Sequence, residues 1–581
     1  MKFKRVTGIA FVMLVVASLL VIPAAAAPSA GSPQALKAPK AKFYDNVAFD
    51  VSPTLRELAA NRQVPEVSEE VENVRKENAP QAAGDSGFSG DDAVQSTVPS
   101  VTTVSGTMAN FEGLGNQANF DIFGFRVNPP DPVGDVGLNH YVEMVNLVFA
   151  IYDKSGNLLL GPVDTGTLWD GFVIPDCTDP SGDPIVLYDQ FSDRWLLSQF
   201  TTRGLDDPAL PFYNCVAISQ TPDPTGAYYR YAFITQPDTV DGGYYFPDYP
   251  KYGVWKDSYV MTTRDFGLID QYGISVYALE KNKMINGQAK ARAVQFFLDS
   301  SILPLETMGD GLLPPDVDGK TKPKNDAPAP IVGTQDDGAG YGATFDALNI
   351  WELRVQWNSR ATASLTGPIQ LPVAPFDSIF PCAPTSRDCL PQPGIANPAQ
   401  YLDILSYRQR PTYRLAYRNF GTYESYVTNQ AVEAAPGIAG VRWYEIRRVN
   451  GSYSVYQQGT YAPGDGIHRW MGSAAQDKRG NMAIGYSVVN GVNVYPGIRY
   501  TGRLASDPLG QMTLGEGTII NGSGVQTTTN SRWGDYTSLN IDPVDDCTFW
   551  YVNEYYTAAG QASSPAGWQT RIASFKLPGC N

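Results

Sequence analysis

Four aspartates open short apolar runs: Asp135 in G-D-V-G, Asp183 in G-D-P-I-V, Asp248 in P-D-Y-P-K-Y-G and Asp535 in R-W-G-D-Y. Carboxylates brought together by their loops could bind a hard cation, with Ca²⁺ the one cofactor they suggest, or serve as acid and base on a sugar. An Asp beside Gly or Tyr in a turn also caps its own backbone, so each has a structural alternative. The pairs Arg469-Trp470 and Arg532-Trp533 repeat at a spacing of 63 residues. Arginine grips carboxylates bidentately and tryptophan stacks on sugar faces, a combination suited to acidic glycans. With Asp535 and Tyr536 these four residues form the candidate ligand-binding set. The same pairs could instead be architectural, with indoles packed between sheets and guanidinium groups tying loops. A catalytic reading draws on Asp535, Tyr536, Asp248 and Tyr249, with a tyrosine nucleophile activated by a carboxylate, and Glu143, Glu554 and Arg442 supply further residue types.

Other chemistry is narrowed by what is scarce. Only His140 and His468 occur among 581 residues, so a three-histidine metal site is impossible and a Ser-His or Cys-His pair would need one of these two. The glycines near Gly113 and Gly134 lack the following helix that phosphate binding requires. Asp316-Val317-Asp318-Gly319 resembles half a calcium loop without its later carboxylate. The formal charge of −16 repels nucleic acid and anionic lipid.

The elements that must position these residues begin after an export signal. Lys2, Lys4 and Arg5 precede an apolar run and Ala24-Ala25-Ala26, which reads as a signal peptide over residues 1–26. Removal takes the charge from −16 to −19 as three basic residues leave, and the mature chain shows no further membrane span. Residues 27–105 read as a polar, largely disordered spacer or propeptide, with one short helix marked by Val67, Val71 and Val74. From 106 to 581 the texture is strand, turn, strand. Strand groups open near Gly134, Gly182, Asp248, Ala329, Tyr413, Arg469 and Arg532. Seven units of this size predict an all-β propeller of seven four-stranded blades, whose entry loops ring one mouth of a channel; six or eight blades, or a pair of β-sandwiches, are the alternatives. Six cysteines in an exported chain can pair fully, and proximity favours Cys177 with Cys215, Cys382 with Cys389 and Cys547 with Cys580.

The segment S-R-W-G-D-Y-T-S-L-N-I-D-P-V-D-D-C-T-F-W-Y-V-N-E-Y-Y, with G-D-P-I-V-L-Y-D-Q-F-S-D-R-W and P-D-Y-P-K-Y-G-V-W, resembles uncharacterised secreted bacterial β-propeller proteins, similar in architecture to sialidase-type (BNR-like) propellers. The resemblance spans about 134–556. The strict Asp-box S-x-D-x-G-x-x-W is absent, and 477–481 keeps only an Asp-to-Gly turn. Expectations are therefore a secreted binding module for glycan or protein ligands. The alternatives are a sialidase-like hydrolase or lyase using mouth carboxylates and a structural surface component.

Overall fold

The computed structural model describes residues 39–62, 88, 90–95, 104–237, 245–267, 272–338, 342–378, 380, 388–404 and 409–581. The signal segment 1–26, the helix expected at Val67 to Val74 and Cys382 lie outside them. Among the described residues no helix is long and apolar enough to cross a membrane.

The chain is all-β. Short runs of valine, isoleucine and aromatic residues, punctuated by Gly, Asp and Pro turns, pair with their neighbours in sequence as antiparallel meanders. The first sheet comprises Val133–Val136, His140–Val145, Val148–Asp153 and Leu158–Asp164. Six further sheets of three or more strands follow among the described residues, opening with Ile185–Asp189, Phe246–Val254, Ala329–Gln335, Thr412–Asn419, His468–Gln476 and Ser538–Ile541. Each opening strand lies at or just beyond one of the expected strand-group openings. The fourth sheet has only three strands, although Leu313 bridges to Val332 and Pro315–Val317 then crosses to pair in parallel with Thr412–Asn419. Opening strands touch in cyclic order, with Pro315–Val317 standing for the fourth unit, and Ser538–Ile541 touches Val133–Val136. Middle strands are largely buried, Tyr272–Glu280 along its whole length, because neighbouring sheets cover both faces.

The last sheet is completed by the N-terminal side of the chain. Ala109–Gly115 pairs antiparallel with Trp568–Lys576, setting Phe111 opposite Ile572. This joins the two ends of the repeated region by backbone hydrogen bonds.

Parts of residues 27–105 depart from the spacer expectation. Lys42–Asp45 adds to the outer edge of the third sheet, with Phe43 opposite Val294. Ala48–Val51 adds to the second, with Phe49 opposite Tyr231. Arg230, 2% exposed, grips the Asp50 carboxylate at 2.6 and 2.7 Å. The helix Leu55–Asn61 follows, held by a reciprocal Thr54–Glu57 capping box and burying Leu55 and Leu58. Val94–Gln95 pairs with the outer strand of the fifth sheet. Averaged composition hid these pieces, since a few apolar residues suffice to occupy an open sheet edge.

Disulfides Cys177–Cys215 and Cys547–Cys580 form, closing sequence separations of 38 and 33 residues. Cys389 is also disulfide-bonded.

Candidate functional site

One backbone feature recurs shortly before, or within the first residues of, each opening strand, with Pro315–Val317 standing for the fourth unit. Asp131, Asp183, Tyr249, Gly309, Gln409, Met471 and Asp535 all have left-handed φ, between +43° and +69°. Six are not glycine, and a bulky residue such as Tyr249 adopts this conformation only when its surroundings over-determine it. At Tyr249 the cause is a bulge, where the pairing of Phe246–Val254 with Ser258–Phe266 shifts between Asp248 and Lys251. The bulge turns Tyr249 and Lys251 toward the same interior space.

There the side chains of several sheets meet. The Tyr249 hydroxyl donates to the backbone carbonyl of Asp535 at 2.7 Å. The Tyr536 hydroxyl lies 3.0 Å from Asp183 Oδ2 and 2.9 Å from the Pro250 carbonyl. The two rings stand 4.9 Å apart. Lys251 Nζ sits 2.8 Å from the Tyr249 ring centroid and 3.3 Å from that of Tyr536, with Arg410 4.3 Å over Tyr249. Arg532 pairs with Asp535, and Arg264 lies 4.0 Å from Asp310. A narrow cleft of about 10 Å³, room for about one water molecule, opens beside this cluster. Tyr249, Lys251, Thr262, Arg264, Leu312 and Arg410 are among its walls, which carry three cationic side chains and, among the described residues, no carboxylate.

Burial controls the charges. It holds the Lys251 ammonium well below the usual lysine range, opposed chiefly by Asp183. Burial and the neighbouring Asp248 push Asp183 up to about 6, while Lys251 and the Tyr536 hydrogen bond pull it down. Tyr536 is raised well above its ordinary value by burial first and Asp183 second, the reverse of what a tyrosine nucleophile needs.

The structure thus brings together Asp183, Asp248, Tyr249, Asp535 and Tyr536, and separates them from other sequence candidates. Asp135 lies apart, accepting 2.7 Å hydrogen bonds from the Val136 and Tyr188 amides beside Asp316 and Arg414. Trp470 and Trp533 are completely buried and pack on each other at 5.4 Å, so neither offers a face to a sugar. Arg469, 1% exposed, is held at 2.8 Å by both Asp465 and Glu516. Its repeat with Arg532 is structural at that position, because a buried guanidinium requires fixed counter-charges. Asp316 and Asp318 grip Arg414. Among the described residues, the carboxylates close enough to share an ion are Asp336, Asp337 and Asp346, a set that contains none of Asp135, Asp183, Asp248 and Asp535. Glu143 and Glu554 accept backbone amides at 2.9 Å, and Arg442 pairs with Asp91 at 2.7 Å. His468 Nδ1 accepts the Ala439 amide, and burial lowers its pKa to about 4.

Sequence reasoning missed Lys251, Arg264, Arg410 and Asp131. Lys251 was visible in P-D-Y-P-K-Y-G, where an odd cation between aromatic residues on an otherwise buried strand is the available signal.

Burial also fixes a pH dependence. It pushes Asp135 up to about 8, reinforced by Asp316, and Asp265 up to about 8. An ordinary aspartate titrates near pH 4, so the folded chain holds protons that the unfolded chain has released. Stability is therefore fully present below about pH 4 and falls as pH rises through 8. His468 acts oppositely below about 6.5, and Lys251, held below the usual lysine range, opposes at higher pH as one group against these two aspartates. Thermal midpoints should accordingly drop between pH 6.5 and 8.5, and Asp135→Asn should flatten that slope. An unchanged slope would remove Asp135 from this account.

Neither a protein-family model nor a curated protein sequence matches the chain. Solved structures give distant likenesses. The α-L-arabinofuranosidase from Fusarium graminearum is 11% identical over 68% of this chain and 92% of its own, with a TM-score of 0.33. The α-L-arabinanase from Penicillium chrysogenum is 10% identical over 67% and 91%, at 0.30. The Trypanosoma rangeli sialidase is 8% identical over 68% and 54%, at 0.27. At such identities and scores these likenesses assign neither family nor function.

Proposed function

We propose that the chain is an exported seven-bladed β-propeller that binds an acidic glycan by its anionic group at the mouth of the narrow cleft beside Tyr249. The cyclic contacts of the opening strands and the sevenfold recurrence of left-handed entries support the architecture. The observation that carries the function is the cleft itself. Among the described residues, Lys251, Arg264 and Arg410 line it with no carboxylate in its walls, on a chain of net charge −16. Anionic ligands gain there from charge-assisted hydrogen bonds in a dry setting, where such bonds are strong. The disulfides, with the leader read from the sequence, support a location outside the cell.

Calorimetric titration with glucuronate- and N-acetylneuraminate-bearing oligosaccharides tests the reading. Arg410→Met and Arg264→Met should each weaken binding about 10- to 100-fold, the range for hydrogen bonds to charged groups. Neutral oligosaccharides of the same length should not bind. Equal affinity for neutral and acidic ligands, or unchanged affinity in both variants, would reject the site.

A hydrolase reading draws on the Tyr536–Asp183 hydrogen bond. Tyr536 lies fully buried beneath Lys251, so a substrate would have to displace the lysine to reach it. Products released by the wild type and lost in Asp183→Asn would favour this second reading.

A further inference from the structure

The strand that carries Tyr249 leads into the turn Trp255 to Ser258, roughly 20 Å further on at ~3.3 Å per residue, and this turn forms one side of a second cavity. Its volume is about 270 Å³, close to the ~300 Å³ at which sites for drug-sized ligands begin. A compact metabolite therefore fits. The floor is apolar, made by Trp255, Val260, Ala329 and Leu353, all of them buried. Another wall is the loop Asn325 to Ala327, held by two cations from different sheets. Lys256 Nζ donates to the carbonyls of Lys324, Asn325 and Ala327 at 3.0, 2.5 and 2.7 Å, and Arg354 Nη1 donates to the Asp326 carbonyl at 2.7 Å. These bonds fix the wall before a ligand arrives, which lowers the ordering cost of binding.

The polar groups retain bonding capacity. Arg354 makes one further bond, to Glu352 at 3.3 Å, and a guanidinium carries more donors than these two bonds use. Asp257, half-buried, takes a hydrogen bond from Ser258 Oγ at 3.1 Å, and a carboxylate can accept several more. Burial raises its pKa, with Lys256 the chief opposing charge, so a further donor would stabilise its ionised form. Charge then selects the ligand class. The lining carries Lys256 and Arg354 against Asp257 and Asp326, and Lys281 also acts on Asp257. A bare organic cation meets Lys256 and Lys281, and a bare anion meets Asp257 and Asp326. A zwitterion finds a partner for each sign and adds no net charge. A neutral polyol would set hydroxyl groups against the apolar floor.

We infer that this cavity binds a free α-amino acid with an apolar side chain, its carboxylate on Arg354, its ammonium on Asp257 and its side chain over Trp255, Val260 and Leu353. The site is separate from the Tyr249 cleft and does not rest on the anion-binding reading.

The test is ligand-observed NMR titration of the full, disulfide-intact chain with L-leucine, isocaproate, isoamylamine and myo-inositol. L-leucine should bind about 10-fold or more tightly than each of the others, the lower end of the range for hydrogen bonds to charged groups. Asp257→Asn should weaken L-leucine about 10-fold or more but should not weaken isocaproate, which has no ammonium; a general loss of folding would lower both. Gln356→Trp, at an exposed position on the lining, should block L-leucine by filling the cavity. No binding of L-leucine by the wild type, or unchanged binding in both variants, would overturn the site. Equal binding of isoamylamine or isocaproate would overturn recognition of the zwitterion, and tighter binding of myo-inositol would overturn it in favour of a polyol. A wild type that binds acidic oligosaccharides and ignores L-leucine would overturn this inference alone and leave the Tyr249 cleft standing.

Discussion

Replacing Arg414 by methionine is expected to destabilise the chain by about 3–5 kcal/mol, the cost of breaking a buried ion pair from one side. Arg414 is 1% exposed. Its Nε donates to Asp316 at 2.7 Å, and its Nη atoms donate to Asp318 at 2.8 and 3.0 Å and to the Leu539 carbonyl at 3.1 Å. Asp316 and Asp318 lie at the Pro315–Val317 strand of the fourth unit and Leu539 on the opening strand of the seventh, so one side chain from the fifth unit joins all three. Its loss strands two buried carboxylates, with Asp135 nearby. The stranded carboxylates can escape the penalty by taking up protons, so the deficit should shrink as pH falls toward 5. Replacing Asp316 and Asp318 by asparagine in the same chain should recover part of the loss, since neutral amides need no counter-charge. Urea midpoints across this series measure it. A deficit below 1 kcal/mol, or one that grows at acid pH, would show that the cluster does not hold the ring together.

Trp533→Ala should cost a similar amount, about 3–5 kcal/mol, by a different mechanism. The indole is completely buried, packs on Trp470 at 5.4 Å and Tyr556 at 5.8 Å, and donates Nε1–H to Ser487 Oγ at 3.0 Å. Truncation removes its apolar area and leaves a cavity that strand-paired neighbours cannot collapse into. Trp533→Phe keeps most of the contact and should lose far less. The penalty should not depend on pH, which separates it from that of Arg414. A surface ligand-stacking role predicts the opposite pattern, with little change in urea midpoint. An alanine variant as stable as the wild type would restore that role.

Strand positions were legible because their signals are local. Runs such as Ile185–Asp189 are built from β-branched and aromatic residues bounded by turns, and the disulfide pairs Cys177–Cys215 and Cys547–Cys580 follow from proximity in sequence. Lys42–Asp45 and Ala48–Val51 were not legible, since a four-residue strand is defined by the edge it finds, here more than 170 residues away.

The same division runs through the site. The sequence by itself determined that Asp183, Asp248, Tyr249, Asp535 and Tyr536 stand at the entries of repeated units, because turn residues and apolar runs are short-range features. Only the tertiary structure decided which charges face the cleft and which are neutralised in the core. Arg469 and Arg532 share the same Arg-Trp dipeptide, yet Arg469 is enclosed by Asp465 and Glu516 while Arg532 pairs with Asp535 beside the cluster. The reason is physical: the free energy of a charged side chain depends on its counter-charges and on how much water surrounds it, and both come from residues distant in the chain.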